Sequence, residues 1–318
     1  MKFVPFLILL LFTPLLVSAQ AGKIKKKTML KLESAALVLN EQARTMHTDS
    51  SLSVRAAACR QLITGLVDAL KEPNSYNYDF ANVEGIAVRN APDNSFRLIT
   101  WEFHTSRDEY RHYGAIQWNE KKLKLQPLID RSADWRSNPE NKITTADNWL
   151  GYVAYNILPG GELNGTPYYF VMGFDRKSGF VRRKVLDVIT FDGYGNVQFG
   201  LPVFATYSTE GIRLTERARI ILDYSAEANV VLQKDPVTGH LTYENLIVMP
   251  GSDESGPVQM PDGSYHSLQY REDGLWHETE KVFTHKYEKA PVDAAQPKEN
   301  RGIFGQQLKP AKSDGGNK

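Results

Sequence analysis

The feature that most constrains the fold of this chain is a rhythm of short apolar segments between residues 80 and 288. Apolar and β-branched residues alternate with polar ones, and clusters rich in Gly, Asp, Asn and Pro separate the segments. Short strands at this spacing are typical of antiparallel β proteins. The predicted strands are residues 83–89, 96–104, 111–118, 122–129, 150–158, 168–174, 182–191, 197–206, 213–225, 228–234, 241–249 and 264–270, with a last piece at 274–287. We therefore predict a mainly β domain over residues 76–289, an antiparallel meander of about twelve strands that forms a sandwich or a barrel.

The predicted connections between these strands follow turn chemistry. Residues 192–196 supply Gly and Asn, which adopt the positive φ that tight hairpin turns need. The same reasoning predicts turns at 159–161, 235–239 and 261–263, where Pro, Gly or Asp interrupts the apolar pattern.

Residues 28–71 have a helical period instead of a strand period. Apolar residues recur there every three or four positions, which places them on one face of a helix. They are Met29, Leu32, Ala36, Leu39, Ala43 and Met46 in the first run, and Leu52, Ala56, Cys59, Leu62, Leu66 and Leu70 in the second. Residues 47–51 break the pattern and offer capping side chains. We predict an αα-hairpin over residues 22–75, which must bury its apolar stripe against the β domain or a partner.

The amino terminus has the three parts of a secretory signal peptide. One lysine precedes an apolar run over residues 3–17, and small residues follow the run. The run is shorter than the roughly 20 residues that a membrane-spanning helix needs. We therefore predict that residues 1–21 are removed, by cleavage after Ala19 or Ala21. The alternative is an uncleaved anchor, which the lysine run at 23–27 favours because positive charge prefers the cytoplasmic side.

Charge and cysteine content narrow the classes of function. Removal of residues 1–21 takes away one lysine and no acidic residue, which leaves 37 basic and 37 acidic residues. That balance argues against a nucleic-acid-binding protein, which needs a basic excess on one face. Cys59 is the only cysteine, so an intrachain disulfide is excluded, and we expect a buried thiol at this helical position. No stable membrane span is expected once the signal peptide is removed.

Residues 290–318 form a tail rich in Lys, Pro, Gly, Gln and Asn. Their apolar content is too low for a packed core, so we predict that the tail is disordered. The predicted organisation is therefore a signal peptide, a helical hairpin, a β domain and this tail.

Three stretches of the β domain are similar to a known group of proteins. Residues 94–101, 168–204 and 261–276 contain, in order, a strand ending in Trp101, a Gly-aromatic-Asp hairpin and a Pro-Asp-Gly-Ser-Tyr segment. They resemble a family of exported proteins of unknown function from Bacteroidetes. The resemblance implies an envelope setting, with the periplasm favoured over the extracellular space, and it implies no activity.

Motifs that commit a chain to a reaction are absent from the sequence. There is no Gly-x-Ser-x-Gly nucleophile elbow. The seven histidines are scattered, and neither a His-x-x-x-His pair nor a cysteine pair is present. We therefore predict no metal site and no cofactor.

Carboxylates within strands are the remaining hint of an enzyme. Asp187 and Asp223 each lie in a run of apolar strand residues. A carboxylate on a buried strand face can have a raised pKa and act as an acid or a base. Two such groups would suit a hydrolase or lyase acting on glycans. Ion pairing with a cation of a neighbouring strand, such as Arg182, Arg183 or Lys184, or exposure to water, is the simpler alternative.

Aromatic residues supply a candidate binding surface. Trp149, Tyr152, Tyr155, Tyr168 and Tyr169 gather in the middle of the chain. Flat amphipathic rings on a β surface can stack on sugars or contact peptides. The same residues also favour strands for packing reasons alone, so core packing is the alternative.

The leading hypothesis is a non-enzymatic binding or scaffold module of the cell envelope, exported to the periplasm or beyond. It rests on the signal peptide, the balanced charge and the absence of a catalytic motif. Its partner is unknown, with an envelope protein or a glycan as candidates. The alternative function is the glycan-acting hydrolase or lyase described above.

Overall fold

The two helices form where the helical period predicts them. The computed structural model describes residues 20–106, 108–134, 139–207, 213–251 and 256–279. Helix α1 spans Lys26–Thr48 and helix α2 spans Leu52–Leu70. Both bury most of the predicted apolar stripe, but Leu52 is 48% exposed at the start of α2, and Met29 and Ala56 are half-buried. Cys59 lies in this stripe, and burial raises the pKa of its thiol, as expected for an unreactive cysteine. The αα-hairpin is therefore confirmed.

The rest of the described chain is mainly strand. In chain order the strands are β1 (Ile86–Asn90), β2 (Phe96–Ser106), β3 (Glu109–Trp118), β4 (Leu125–Ile129), β5 (Thr144–Thr145), β6 (Val153–Leu163), β7 (Thr166–Asp175), β8 (Val181–Phe191), β9 (Val197–Phe199), β10 (Phe204–Tyr207), β11 (Arg213–Arg217), β12 (Ile220–Ser225), β13 (Leu232–Lys234), β14 (Leu241–Met249), β15 (Val258–Tyr270) and β16 (Trp276–Thr279). The predicted mainly β class is confirmed.

The strands form three sheets. The first sheet is a meander in the order β1-β2-β3-β4. The central sheet has the order β5-β9-β8-β7-β6, with β12 also paired to β8. The outer sheet has the order β11-β10-β16-β15-β14-β13. Pairing is antiparallel apart from β10 with β16, which is parallel.

The sheets stack because strand residues alternate between two apolar faces. Val171 of the central sheet packs towards Leu98 of the first sheet, in one core. Phe170, one position earlier, shares a second core with Leu268 of the outer sheet. The helices cover the other face of the first sheet, around Trp101. The described residues thus form a sandwich-like stack and no closed barrel. Of the two predicted architectures, the sandwich is the correct one.

Two of the predicted turns are wrong, because they lie inside strands. Residues 159–161 fall within β6 at a register shift, which marks a β-bulge. The chain reverses instead at Asn164 and Gly165, which both have positive φ, as the Asn-Gly signal of a type I′ turn requires. Residues 261–263 likewise lie within β15, opposite a register shift in β14.

Two of the four described strands beyond the predicted twelve arise because two long predicted strands are interrupted; of the others, β16 lies in the predicted last piece and β5 lies where no strand is predicted. Segment 197–206 divides into β9 and β10, which belong to different sheets. The chain leaves the central sheet at Gly200, whose φ of +87° and close approach to the backbone of Lys142 leave no room for a side chain. Segment 213–225 divides into β11 and β12 in the same way.

Several predictions concern residues outside the described ranges. Most of the predicted signal peptide, residues 1–19, lies there, and so does the predicted tail at 290–318. Within the described ranges, neither helix combines the length and the apolar character that crossing a membrane requires.

Candidate functional site

The five aromatic residues of the predicted binding site do not form one surface. Trp149 and Tyr152 are fully buried between the first and central sheets. Tyr168 is buried on the opposite face of the central sheet, in the core shared with the outer sheet. Strand alternation places these rings on opposite faces of the central sheet. Core packing, the alternative interpretation, therefore explains all three.

The other two rings are half-buried and hydrogen-bonded. The hydroxyl of Tyr169 donates to Oδ2 of Asp93 at 2.7 Å. The hydroxyl of Tyr155 donates to the carbonyl of Leu232 at 3.1 Å. Tyr155 also lines an open groove of about 620 Å³ beside residues 232–239, so it is the one predicted ring that faces a concave surface.

Asp187 is held in the core by a complete set of donors. Nε of Arg219 lies 2.9 Å from Oδ1, and the hydroxyl of Tyr152 lies 3.3 Å from Oδ2. Both partners of the ion pair have fully buried side chains. The guanidinium of Arg219 also donates to the carbonyls of Pro139 and Lys142. A buried, neutralised carboxylate of this kind orders a core, and no substrate can reach it.

Asp223 is also ion-paired. Arg183 donates to both of its carboxylate oxygens, at 2.6 and 2.8 Å, and Nζ of Lys177 lies 2.5 Å from Oδ2. Burial acts to raise the pKa of Asp223, but the hydrogen bonds and charges of Arg183 and Lys177 outweigh it and lower the pKa. Asp223 is therefore ion-paired, as the simpler alternative predicted, and Arg183 is its partner.

The two carboxylates are not placed as a glycosidase pair. Asp223 pairs across the sheet with Arg183, four positions along β8 from Asp187. At about 3.3 Å per residue along β8 and about 4.8 Å across to β12, the Cα atoms of Asp187 and Asp223 are roughly 14 Å apart. Glycosidases hold their two carboxyl groups at most about 9.5 Å apart. Asp187 and Asp223 thus share a sheet without converging on one site.

A different set of side chains surrounds a cavity of about 870 Å³ at one end of the layer between the first and central sheets. Its walls come from the start of β3, the loop after β4 and the β7–β8 connection. The volume falls within the range of small-molecule sites. We call it the His112 cavity, after the buried histidine in its wall.

His112 bridges two carboxylates that come from different sheets. Nδ1 lies 3.4 Å from Oδ2 of Asp130, which follows β4, and Nε2 lies 3.4 Å from Oδ1 of Asp175, the last residue of β7. His112 shares a strand face with Ile116, and Asp175 shares one with Val171, so both side chains enter the layer between the sheets. We call these three residues the histidine bridge.

Charge decides the protonation of the histidine bridge. Burial alone would lower the pKa of His112, but the carboxylates of Asp130 and Asp175, with Glu102 nearby, outweigh it and raise the pKa. Burial would raise the pKa of Asp130, yet the contacts with His112 and Ser132 lower it to about 2. Both shifts favour an imidazolium between two carboxylates.

The loop after β4 holds Asp130 in position. The backbone N–H of His112 donates to Oδ2 at 2.8 Å, and the backbone and hydroxyl of Ser132 donate to Oδ1 at 2.9 and 2.5 Å. The N–H of Gly151 donates to the Ser132 hydroxyl at 2.9 Å. A Cβ at Gly151 would lie 2.6 Å from Oδ1 of Asp130 and 2.7 Å from Nδ1 of His112, so only glycine fits.

The rim of the cavity carries exposed charges of both signs. Arg111 and Arg131 are exposed cations, and Asp108 and Asp134 are exposed anions. Below them the Arg183–Asp223 pair is neutral, whereas the histidine bridge, an imidazolium between two carboxylates, keeps one net negative charge. The described residues contain no cluster of three or more His, Cys, Asp or Glu side chains placed to hold a metal ion. The arrangement suits the binding of a polar, charged ligand.

Sequence reasoning did not single out His112, Asp130 or Asp175. A partial signal exists, because strand alternation places His112 and Asp175 on inward faces next to apolar residues. Which strand ends meet depends on how the two sheets stack, and local patterns do not contain that information. The close approach of Gly151 to Asp130 and His112 cannot be predicted from the sequence either, because it depends on how the loop folds.

Comparison of the chain with protein-family models, with curated protein sequences and with solved structures finds no match. Function is therefore inferred from the cavity and its charges. The geometry carries that inference without support from a relative.

Proposed function

We propose that the protein is an exported, non-enzymatic binding module of the cell envelope, which holds its ligand in the His112 cavity. The observation that carries the proposal is a cavity of about 870 Å³ whose exposed rim bears charges of both signs. The signal-peptide features of residues 1–21 support export, and the periplasm is the compartment that the resemblance noted in the sequence implies.

The rim charges select the class of ligand. Arg111 and Arg131 would pair with a carboxylate, and Asp108 and Asp134 would pair with an ammonium group. A peptide with free ends carries both groups within a short distance. A neutral sugar would leave these charges unpaired, although the rings of Tyr110 and Tyr113 in the wall could contact it. The ligand is therefore a short zwitterionic peptide or the end of an envelope protein.

Binding fits the site better than catalysis does. An enzyme such as a glycan hydrolase or lyase needs at least two titratable groups that converge on the reacting atoms of one substrate. Both ring nitrogens of His112 are closed to solvent and face carboxylates. Asp130 is saturated by donors from His112 and Ser132. The histidine bridge supports the cavity wall and leaves the exposed rim for recognition.

Calorimetric titration of the full chain with the tripeptide Ala-Glu-Lys tests the proposal. Arg131→Gln removes one rim cation, and we expect it to weaken binding about tenfold, the loss of one charge-assisted contact. Arg60→Gln is the matched control, because Arg60 is exposed on α2 and lies outside the cavity.

Two outcomes would contradict the proposal. One is a peptide affinity that Arg131→Gln and Arg60→Gln change equally. The other is the absence of peptide binding together with binding of a neutral oligosaccharide, which would identify a glycan as the ligand. Cell fractionation, with mass measurement of the amino terminus, checks the compartment and whether residues 1–21 are removed.

A further inference from the structure

The helical hairpin has an outer face that is separate from the His112 cavity. Leu30, Leu37 and Val38 of α1 are 58, 72 and 58% exposed. Their spacing of seven and eight positions places them on one face, opposite the buried stripe that contains Leu32 and Leu39. The solvent side of such a helix is ordinarily polar, so three large apolar side chains there require an explanation.

Lysines surround these apolar residues at the start of the helix. Lys23, Lys25, Lys26, Lys27 and Lys31 lie within residues 20–32, which contain no acidic residue. Lys31 pairs with Glu72 at 2.6 Å. Among the described residues the other four lysines have no ion-pair partner, which leaves a concentrated positive charge.

The position of this charge opposes the stability of the helix. The N-cap residue Lys25 makes no side-chain capping bond, and the first turn contains no acidic residue. Lys26 and Lys27 therefore lie beside the unpaired N–H groups at the positive end of the helix dipole. An anionic partner would reverse this unfavourable arrangement. The placement of these lysines at the helix start thus strengthens the indication of a negatively charged partner.

The same region offers an apolar recess. An open depression of about 650 Å³ is lined by apolar side chains and by charged ones: Ile24, Met29 and Leu30, with Lys23, Lys25, Lys26 and Glu33. Positive charge around exposed apolar side chains is the pattern of helices that lie in a membrane interface, with lysines at the headgroups and apolar residues at the acyl boundary. A nucleic acid would pair with the lysines but leave Leu37 and Val38 in water.

We infer that this face of α1, formed by residues 23–38, docks on the surface of an anionic lipid bilayer. The lysines contact lipid phosphates, and Leu30, Leu37 and Val38 insert at the boundary with the acyl chains. The helix lies on the membrane without spanning it. This inference is independent of peptide binding in the His112 cavity.

Co-sedimentation of the full chain with lipid vesicles tests the inference. One set of vesicles is pure phosphatidylcholine, and the other contains about a third phosphatidylglycerol. Lys26→Gln/Lys27→Gln removes two of the headgroup contacts, and Leu30→Ser/Leu37→Ser removes two of the inserting side chains. Lys121→Gln/Lys122→Gln is the matched control on the exposed β3–β4 connection. Every variant keeps residues 1–19, so the apolar run at 3–17 contributes equally to all of them.

The readout is the ratio of binding to anionic and neutral vesicles. We expect the unmodified chain and the control to prefer anionic vesicles, and Lys26→Gln/Lys27→Gln to reduce that preference about tenfold or more. Leu30→Ser/Leu37→Ser should weaken binding to the anionic vesicles with an unchanged helical circular dichroism spectrum. Equal binding to both kinds of vesicle, or equal behaviour of the two lysine variants, would overturn the inference. So would full anionic binding by the leucine variant, since it would indicate a purely electrostatic contact.

Discussion

Nε2 of His112 lies 3.4 Å from Oδ1 of Asp175, although the two residues belong to different sheets. Asp130 contacts the other ring nitrogen at the same distance. The buried ring of His112 thus joins the first and central sheets in the wall of the cavity that we propose as the ligand site. Stability, pH dependence and ligand binding should therefore all depend on it.

Replacement of the imidazole should destabilise the protein. His112→Asn leaves Asp130 and Asp175 in the layer between the sheets without the charge that lies between them. Removing one partner of a buried ion pair costs about 3 kcal/mol, because an uncompensated charge remains. Urea unfolding measures the change. His240→Gln, at a half-exposed histidine of the β13–β14 hairpin, should change stability by less than about 0.5 kcal/mol.

The histidine bridge predicts a loss of stability as the pH becomes alkaline. The pKa of His112 is raised in the folded state, so the folded protein holds this proton more tightly than the unfolded chain does. The contribution is complete below about pH 6.5 and is lost as the pH rises through the folded pKa. The free energy of unfolding should fall as the pH rises above about 6.5. An equal fall in His112→Asn would contradict this assignment.

The lowered pKa of Asp130 predicts a loss of stability on the acid side of the pH profile. The folded pKa of about 2 lies below the ordinary value of 3.8, so the contribution of Asp130 is present above about pH 4 and is lost as the pH falls towards 2. The shift corresponds to about 2 kcal/mol. Asp130→Asn should flatten the acid limb of the unfolding profile. A variant that loses stability with acid as steeply as the unmodified chain would show that another carboxylate dominates.

Gly151 should tolerate no side chain. A Cβ at this position would meet both Asp130 and His112, so Gly151→Ala should cost about 1–3 kcal/mol through overpacking. Gly193 has no heavy atom within 4 Å of the same added Cβ, which makes Gly193→Ala a matched control. We expect that control to be neutral or slightly stabilising. Thermal unfolding of the two variants compares them, and equal melting temperatures would refute the close approach.

The pair formed by Asp187 and Arg219 should show strong coupling. Asp187→Asn should cost about 3–5 kcal/mol, because the guanidinium of Arg219 stays buried without its counter-charge. The double replacement Asp187→Leu/Arg219→Met should recover part of that loss. A double-mutant cycle by urea unfolding, built from Asp187→Leu, Arg219→Met and their combination, measures the coupling energy. Additive effects of the two single changes would show that the ion pair contributes little.

The sequence pattern predicts the local structure well and the stacking poorly. Apolar spacing locates both helices, and alternation locates most strands, because these signals depend on neighbouring residues. The Asn164-Gly165 reversal could have been predicted as well, since Asn-Gly is a strong hairpin signal. The pairing of β10 with the distant β16 could not, because it depends on tertiary packing.

The candidate site was harder to predict for the same reason. Trp149 and Tyr168 look alike in sequence, yet the sheets bury them in two different cores. His112 and Asp175 are separated by a long stretch of chain and meet only when the first and central sheets stack. Sequence composition identifies ionisable residues, but the fold decides which of them converge.

The most direct test of the proposed ligand site is a ¹H–¹⁵N NMR titration of the full chain with the tripeptide Ala-Glu-Lys. The proposal predicts that the largest shift changes fall on amides of residues 108–113, 130–134 and 175–179, which line or adjoin the His112 cavity. Amides of the groove beside Tyr155 should remain unchanged. Shift changes confined to residues 232–239, or none at saturating peptide, would contradict the central claim.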